Sequence, residues 1–469
     1  MPNNSELVTA SSDFFYRPEG AWAADFIPFF KDGVFHLFYL LDWRDWQHHG
    51  EGVPWYHIST RDFVDFTENG EALPRGTAAE QDLYVFTGSV VEGEGMYHIF
   101  YTGHNPHLAD KGKPMQGVLH ATSPDLITWT KQAGEALFAP SDRYEPNDWR
   151  DPFVYKDPES GRYHMILAAR LKEGPPRRRG CTALCSSTDL QHWKVEEPLW
   201  TPGMYITHEC PDLFHMGDWW YLVFSEYSER TVTRYRMSRT PHGPWICPPN
   251  DTFDGRGWYA AKTASDGHKR YAFGWGATKD SEKDSGGWQW GGNLVVHELI
   301  QNHDGTLDVR NPESVDRAFR NPQSIPGDSL DATGRFACKV VGPMPRRSKI
   351  ETTVTFDEAT RGCGLFLNAS DDMERVYYVK LDTAMNRLVF ESYPRLSDAT
   401  HWPELERPLK LTHGKPIELK VILDGTLCVI YAGGRAALTT RLYDHREGAW
   451  GWFASEGKVQ FERTAVSTL

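Results

Sequence analysis

Three acidic residues sit where a carboxylate could act on a substrate rather than on its own backbone. Asp151 lies in Trp149-Arg150-Asp151-Pro152-Phe153, between a guanidinium and a proline. Asp25 lies in Gly20-Ala21-Trp22-Ala23-Ala24-Asp25-Phe26-Ile27-Pro28, and Glu209 in His208-Glu209-Cys210-Pro211-Asp212-Leu213-Phe214. Each precedes an apolar run that reads as a buried strand. Brought together, such groups can split an acetal. One acid protonates the leaving oxygen, one carboxylate acts at the carbon, and a third holds hydroxyls while positive charge develops. Arg150 beside Asp151 is expected to keep that aspartate ionised. Taken singly, each has a plainer reading. Asp-Pro starts turns, a Glu before Cys-Pro can be structural, and a buried Asp can cap a turn. Convergence in space is what would raise them above it.

A repeat supplies that convergence. A turn glycine followed by an aromatic-rich strand recurs at Gly33-Val34-Phe35-His36, Gly95-Met96-Tyr97-His98, Gly161-Arg162-Tyr163-His164 and Gly217-Asp218-Trp219-Trp220, with a weaker copy at Gly267-His268. Each is a hairpin signature. An outer edge follows in most copies, as in Ser59-Thr60-Arg61-Asp62, Thr122-Ser123-Pro124-Asp125 and Ser186-Ser187-Thr188-Asp189, and a degenerate copy ends at Pro244-Trp245. Small sheets repeated five times at this period predict a five-bladed β-propeller over residues 1–300. Inner strands surround the axis of such a ring, so Asp25, Asp151 and Glu209, opening three of them, would face one funnel. Their neighbours Arg150 and His208, together with Trp22, Trp43, Trp46, Trp149, Trp288 and Trp290, are candidates for its substrate-contacting wall.

Beyond residue 300 the repeat stops. Residues 301–334 are polar with scattered Pro and Gly and read as a linker. Alternation returns at Ile350, Thr352, Val354 and Phe356, and at Ile417, Leu419, Val421 and Leu423 before the turn pair Asp424-Gly425. Period-2 strands between short turns predict a C-terminal β-sandwich over 335–469, and an all-β chain overall.

Composition narrows the partners. The 469 residues carry a net charge of −14, which argues against nucleic acid and anionic membranes. The one basic run, Arg177-Arg178-Arg179, reads as a solvated turn. No apolar stretch is long enough to span a bilayer. The segment Met1-Pro2-Asn3-Asn4-Ser5-Glu6 lacks the charged-then-apolar pattern of a leader. A cytoplasmic location is expected, or a secreted one had a leader been removed. The seven cysteines show no C-x-x-C pair, which favours reduced thiols. Cys210 reads as core packing, and no cluster has metal-ligand spacing. The 18 Trp suit sugar rings, whose C–H faces stack on indoles, although most are expected to fill the core.

On these residues the chain resembles glycoside hydrolase family 32, the sucrose and fructan hydrolases. Glu209-Cys210-Pro211-Asp212 is similar to the family's acid/base motif and Arg150-Asp151-Pro152 to its stabilising motif. Phe86-Thr87-Gly88-Ser89-Val90 with Phe100-Tyr101-Thr102-Gly103 resembles its second-blade signature, in which Ser89 would lie near the sugar. Phe253-Asp254, Trp258-Tyr259-Ala260-Ala261, Asp424-Gly425-Thr426 and Ile430-Tyr431 extend the match. The resemblance implies a five-bladed propeller with a sandwich, no cofactor, a small carbohydrate substrate, and a retaining double displacement. In it Asp25 is the nucleophile, Glu209 the acid/base and Asp151 the stabiliser. Exo-cleavage of a fructofuranoside or related furanoside is expected, with transfer to a sugar acceptor as a variant. Two positions depart from the pattern. Ala24 and Phe26-Ile27-Pro28 replace the family's Asn and Pro-Asn-Gly around the nucleophile, and His297 stands where members tend to show Arg. Two alternatives stay open: an inverting arabinofuranosidase- or xylosidase-like enzyme of the related family 43, and a non-catalytic sugar-binding propeller.

Overall fold

The computed structural model describes residues 13–395 and 403–469. The leader reading at Met1–Glu6 therefore lies outside the described residues, as does the start of the expected first domain. The chain is all-β, with helical turns of at most six residues among the described residues. No described helix is long and apolar enough to cross a membrane. All seven cysteines are free thiols.

Residues 22–310 form antiparallel sheets of neighbouring strands. One sheet runs Tyr84–Gly93, Met96–His104, Gln116–Ser123 and Thr130–Lys131, and the next runs Tyr144–Lys156, Tyr163–Leu171, Gly180–Ser187 and Lys194–Val195. A three-stranded sheet follows over Glu209–Met216, Trp219–Glu226 and Val232–Ser238. Its outer edge survives only as isolated bridges at Thr252 and Ile246, which matches the degenerate fourth copy of the repeat. The strands from 22 to 73 and from 258 to 310 share one eight-stranded sheet. The arrangement fits a β-propeller followed by a β-sandwich. The turns form where the sequence places them: Asp32-Gly33 and Glu94-Gly95 are two-residue hairpin loops with both φ values positive, the geometry that matches the twist of the flanking strands.

The eight-stranded sheet is joined at a seam, where Ala23 pairs with Gly292. A Cβ at Gly292 would sit 1.8 Å from the Gly276 carbonyl oxygen, so only glycine lets Trp288–Gln301 lie this close to its other neighbour, Arg270–Lys279. Arg441, from the C-terminal part of the chain, reaches the two strands on one side of this seam. It donates to the carbonyls of Ala277 (3.0 Å) and Gly276 (2.8 Å) and to Asn293 Oδ1 (2.7 Å).

The C-terminal sandwich packs a seven-stranded sheet on a six-stranded one. Ile350, Val354, Leu419 and Val421 from the first meet Leu365, Leu367, Val379 and Trp452 in its core. The alternation at 350–356 and 417–423 is that inward face.

The segment 301–334, read as a linker, is ordered. Leu307–Arg310 pairs with Trp288–Gln301, Glu313–Ala318 is a helix, and Arg320–Ile325 and Asp328–Asp331 both pair with Lys458–Thr468. The strand Arg320–Ile325 is almost wholly exposed, so it carries no apolar alternation to betray it. Asp316 of the helix is tied to the sandwich by Lys349 and Lys420.

Candidate active site

The site is built from one backbone device used five times. In each of five strands the pairing register slips by one residue: between Ala24 and Ile27, Phe86 and Gly88, Arg150 and Phe153, Glu209 and Asp212, and Tyr259 and Lys262. These are β-bulges, which bend a strand and re-aim its side chains. Asp25, Asp151, Cys210 and Ala260 adopt φ of 45°, 58°, 49° and 56° at four of them. Non-glycine residues hold such angles at a cost of about 1–3 kcal/mol, and the cost concentrates at functional sites. At the remaining bulge Gly88 lies so close to the next strand that a Cβ would stand 2.0 Å from the Phe100 carbonyl. The acids therefore sit on bulges inside their strands; only Glu209 opens one.

A cavity of about 360 Å³ lies over these bulges, and Asp25, Asp151 and Glu209 all line it. Asp25 accepts from the Thr87 hydroxyl (2.6 Å) and the Trp275 indole N–H (3.0 Å), so both its oxygens are held without the amide of the family pattern. Asp151 accepts from the Cys210 N–H (2.9 Å), and its own N–H donates to Thr102 Oγ1 (2.7 Å), whose hydroxyl donates to the Thr87 carbonyl (3.0 Å). Glu209 accepts from Arg150 (3.0 Å) and from the Tyr259 hydroxyl (2.6 Å). Arg150 is held in turn by Asp148 (2.8 Å).

Burial, reinforced by the charges of Asp151 and Glu209, pushes Asp25 up from 3.8 to about 7 despite its two donors. Asp151 is also raised by burial, which outweighs the nearby Arg150. Arg150, expected to keep Asp151 ionised, does oppose the rise, from 3.8 Å away and shared with Asp148 and Glu209. Lys262 is lowered by burial. Its ammonium donates to the Pro211 carbonyl (2.8 Å) beneath the site. Among the described residues no three His, Cys, Asp or Glu side chains gather as a metal site.

Of the wall candidates, Arg150 and Trp290 line this cavity and the rest lie elsewhere. Trp149 is fully buried against Tyr144, and His208 is fully buried between Trp200 and Phe224. Ser89 is buried and accepts from the Val154 N–H (2.9 Å), which ties two sheets together and leaves the cavity to Thr87. Trp22 is stacked between Arg17 and Arg44, and Trp43 between His49 and Arg75. Trp288 packs at the boundary with the sandwich, under Lys279. His297 is buried, bridging Asp254 Oδ2 (3.0 Å) and the Tyr431 hydroxyl (2.9 Å) across that boundary.

Sequence reading missed Thr87, Tyr259, Gln116, Asn147, Asp148 and Trp275. Thr87 and Tyr259 occupy bulges in the two copies of the repeat that bring no acid, so aligning the copies would have marked them. Trp275 lies on a second strand, where no repeat position singles it out.

A cavity walled by four carboxylates, a guanidinium, a phenol and an indole can donate a proton, form a covalent ester and hold hydroxyls. The comparisons agree with that chemistry. The glycosyl hydrolases family 32 N-terminal domain matches residues 16–309, and the family 32 C-terminal domain matches 319–468. The chain is 25% identical to raffinose invertase of Escherichia coli, covering 92% of this chain and 89% of the relative. It is 24% identical to sucrose-6-phosphate hydrolase of the same organism, covering 97% and 94%. Fructan 1-exohydrolase IIa of Cichorium intybus shares the fold at a TM-score of 0.77 and 17% identity, over 98% of this chain and 97% of that one. With both domains matched along nearly its whole length, the chain belongs to family 32 of the glycosyl hydrolases and is a glycoside hydrolase.

Proposed function

We propose that the enzyme, a glycoside hydrolase of the β-fructofuranosidase type, removes terminal fructofuranosyl units with retention of configuration. The supporting observation is the gathering of Asp25, Asp151 and Glu209, from three separate strands, on one cavity. Asp25 attacks the anomeric carbon and forms a fructosyl ester. Glu209 protonates the leaving oxygen and then takes a proton from water. Asp151, on the strained bulge between them, binds ring hydroxyls and strengthens its grip as the ring flattens. Trp275 and Thr87 aim Asp25, and Tyr259 and Arg150 aim Glu209. A sugar hydroxyl in place of water would give transfer.

We further infer that the eight-stranded sheet is two blades fused at Ala23–Gly292. The five equivalent bulges support a count of five blades.

Anomeric composition of the first product from sucrose, followed by NMR, tests the mechanism. Retention is expected; inversion would refute the double displacement. Inulin and levan digests should contain fructose without intermediate oligosaccharides. Oligosaccharide release would refute exo-action.

A further inference from the structure

A second cavity, of about 750 Å³, adjoins the carboxylates; Phe86 and Trp290 line both. Resting on the fructosyl reading of the first cavity, we propose that the second holds the leaving group and selects an uncharged saccharide over a phosphorylated one.

Its wall is aromatic. Trp46, 58% exposed, stands edge-on to Tyr84 at 6.4 Å, and Tyr84 lies 5.5 Å from Phe86. More than half of this indole stays in water, on a four-residue helix that has no buried residue. It offers a flat apolar surface to the C–H face of a departing sugar. The charges in this cavity are the wrong ones for phosphate. Asp42 and Asp45 line it, and Glu51 stands behind Tyr84, accepting its hydroxyl at 3.0 Å.

The one lining cation among the described residues, Arg44, is already committed. Its Nε faces Asp42 (3.7 Å), Nη1 donates to Gln289 Oε1 (2.9 Å), and Nη2 donates to the Trp290 carbonyl and lies 3.4 Å from that of Gly291. The guanidinium also lies over the Trp22 ring, 4.8 Å from its centre. Recognition of phosphate uses a fork of paired N–H donors, and with Nη2 turned to two carbonyls and Nη1 to Gln289, Arg44 presents no free fork. A phosphate bringing nearly two negative charges would meet two carboxylates instead.

The test compares kcat/KM for sucrose, for sucrose phosphorylated on its glucose unit, and for β-fructosyl fluoride, whose departing atom is too small to reach the second cavity. Sucrose should exceed its phosphorylated form at least tenfold. Trp46→Ala should lower the sucrose value about tenfold more than the fluoride value. Equal or better use of the phosphorylated substrate overturns the selectivity, and equal losses on sucrose and fluoride overturn the placement of the leaving group. If the wild-type protein leaves the fluoride intact, the fructosyl reading fails, and this inference falls with it.

Discussion

Replacing Asp25 by Asn should abolish turnover and at the same time stabilise the fold, by an amount that depends on pH. In the folded protein burial holds Asp25 at about 7, against 3.8 for the free group. Below pH 3.8 folded and unfolded chains both carry the proton, and the group has no effect. Between 3.8 and about 7 the folded state keeps a proton that the unfolded chain has lost, so stability falls as pH rises. Above about 7 the folded site carries an ion that it would rather hold neutral, and the full cost is present. A gap of about three pH units at about 1.4 kcal/mol each gives about 4 kcal/mol. Water entering the cavity reduces this, and about 2 kcal/mol is expected. Asn keeps the shape, and the Thr87 hydroxyl can turn to accept from the new amide.

For a chain of this length 2 kcal/mol corresponds to about 2 °C in Tm. Differential scanning fluorimetry of Asp25→Asn and wild type across pH 4 to 8.5 reads the gap directly, and other titrating groups cancel in the difference. The variant's advantage should be near zero at pH 4 and level off above pH 7. A variant less stable than wild type at pH 8, or one whose difference does not change with pH, would refute a desolvated carboxylate at this position.

Three further outcomes follow from the same geometry. Glu209→Gln should cut kcat/KM on sucrose about 10²- to 10⁴-fold but spare that of β-fructosyl fluoride far more, because fluoride leaves without a proton and kcat/KM reports the step that forms the ester; equal losses of kcat/KM would remove Glu209 from the acid's role. Lys262→Met removes a buried cation beside Asp25 and Asp151, so the acid limb of the kcat/KM–pH profile should move upward; an unmoved limb in a folded variant would show that Lys262 does not tune the acids. Burial lowers His57 and His208 to about 3 and His104 and His120 to about 4. In the window from 6.5 down to these values the unfolded chain takes up protons that the folded one refuses, so stability falls as pH falls, by about 2 kcal/mol for each residue at pH 4.5. Tm should drop steeply below pH 6, and His57→Gln should soften the drop; a flat Tm from pH 7 to 4.5 would contradict this.

The carboxylates could be read in the sequence because the repeat ties distant strands to one axis, and a residue's place in its copy then fixes its place in the ring. The walls could not be read that way. Trp149 and His208 each sit beside site residues in the chain, yet strand alternation turns Trp149 into the core and the segment leading into the next strand buries His208, while the bulges let Arg150 with Asp151, and Glu209 with Cys210, face the cavity together. A one-residue slip in register leaves no mark in composition or periodicity. The ordered strands in 301–334 were hidden for a related reason: an edge strand with both faces in water reads as a loop. The sandwich was legible because its strands at 350–356 and 417–423 alternate, turning one face to a common core.

Arg441 braces a ring to which it does not belong, gripping two neighbouring strands beside the seam. A gene truncated before that codon would encode every acid that lines the cavity and still leave that strand pair without its outside support. The two halves of this protein are thus bound to a shared inheritance: neither can be exchanged for an unrelated module unless the newcomer brings its own brace.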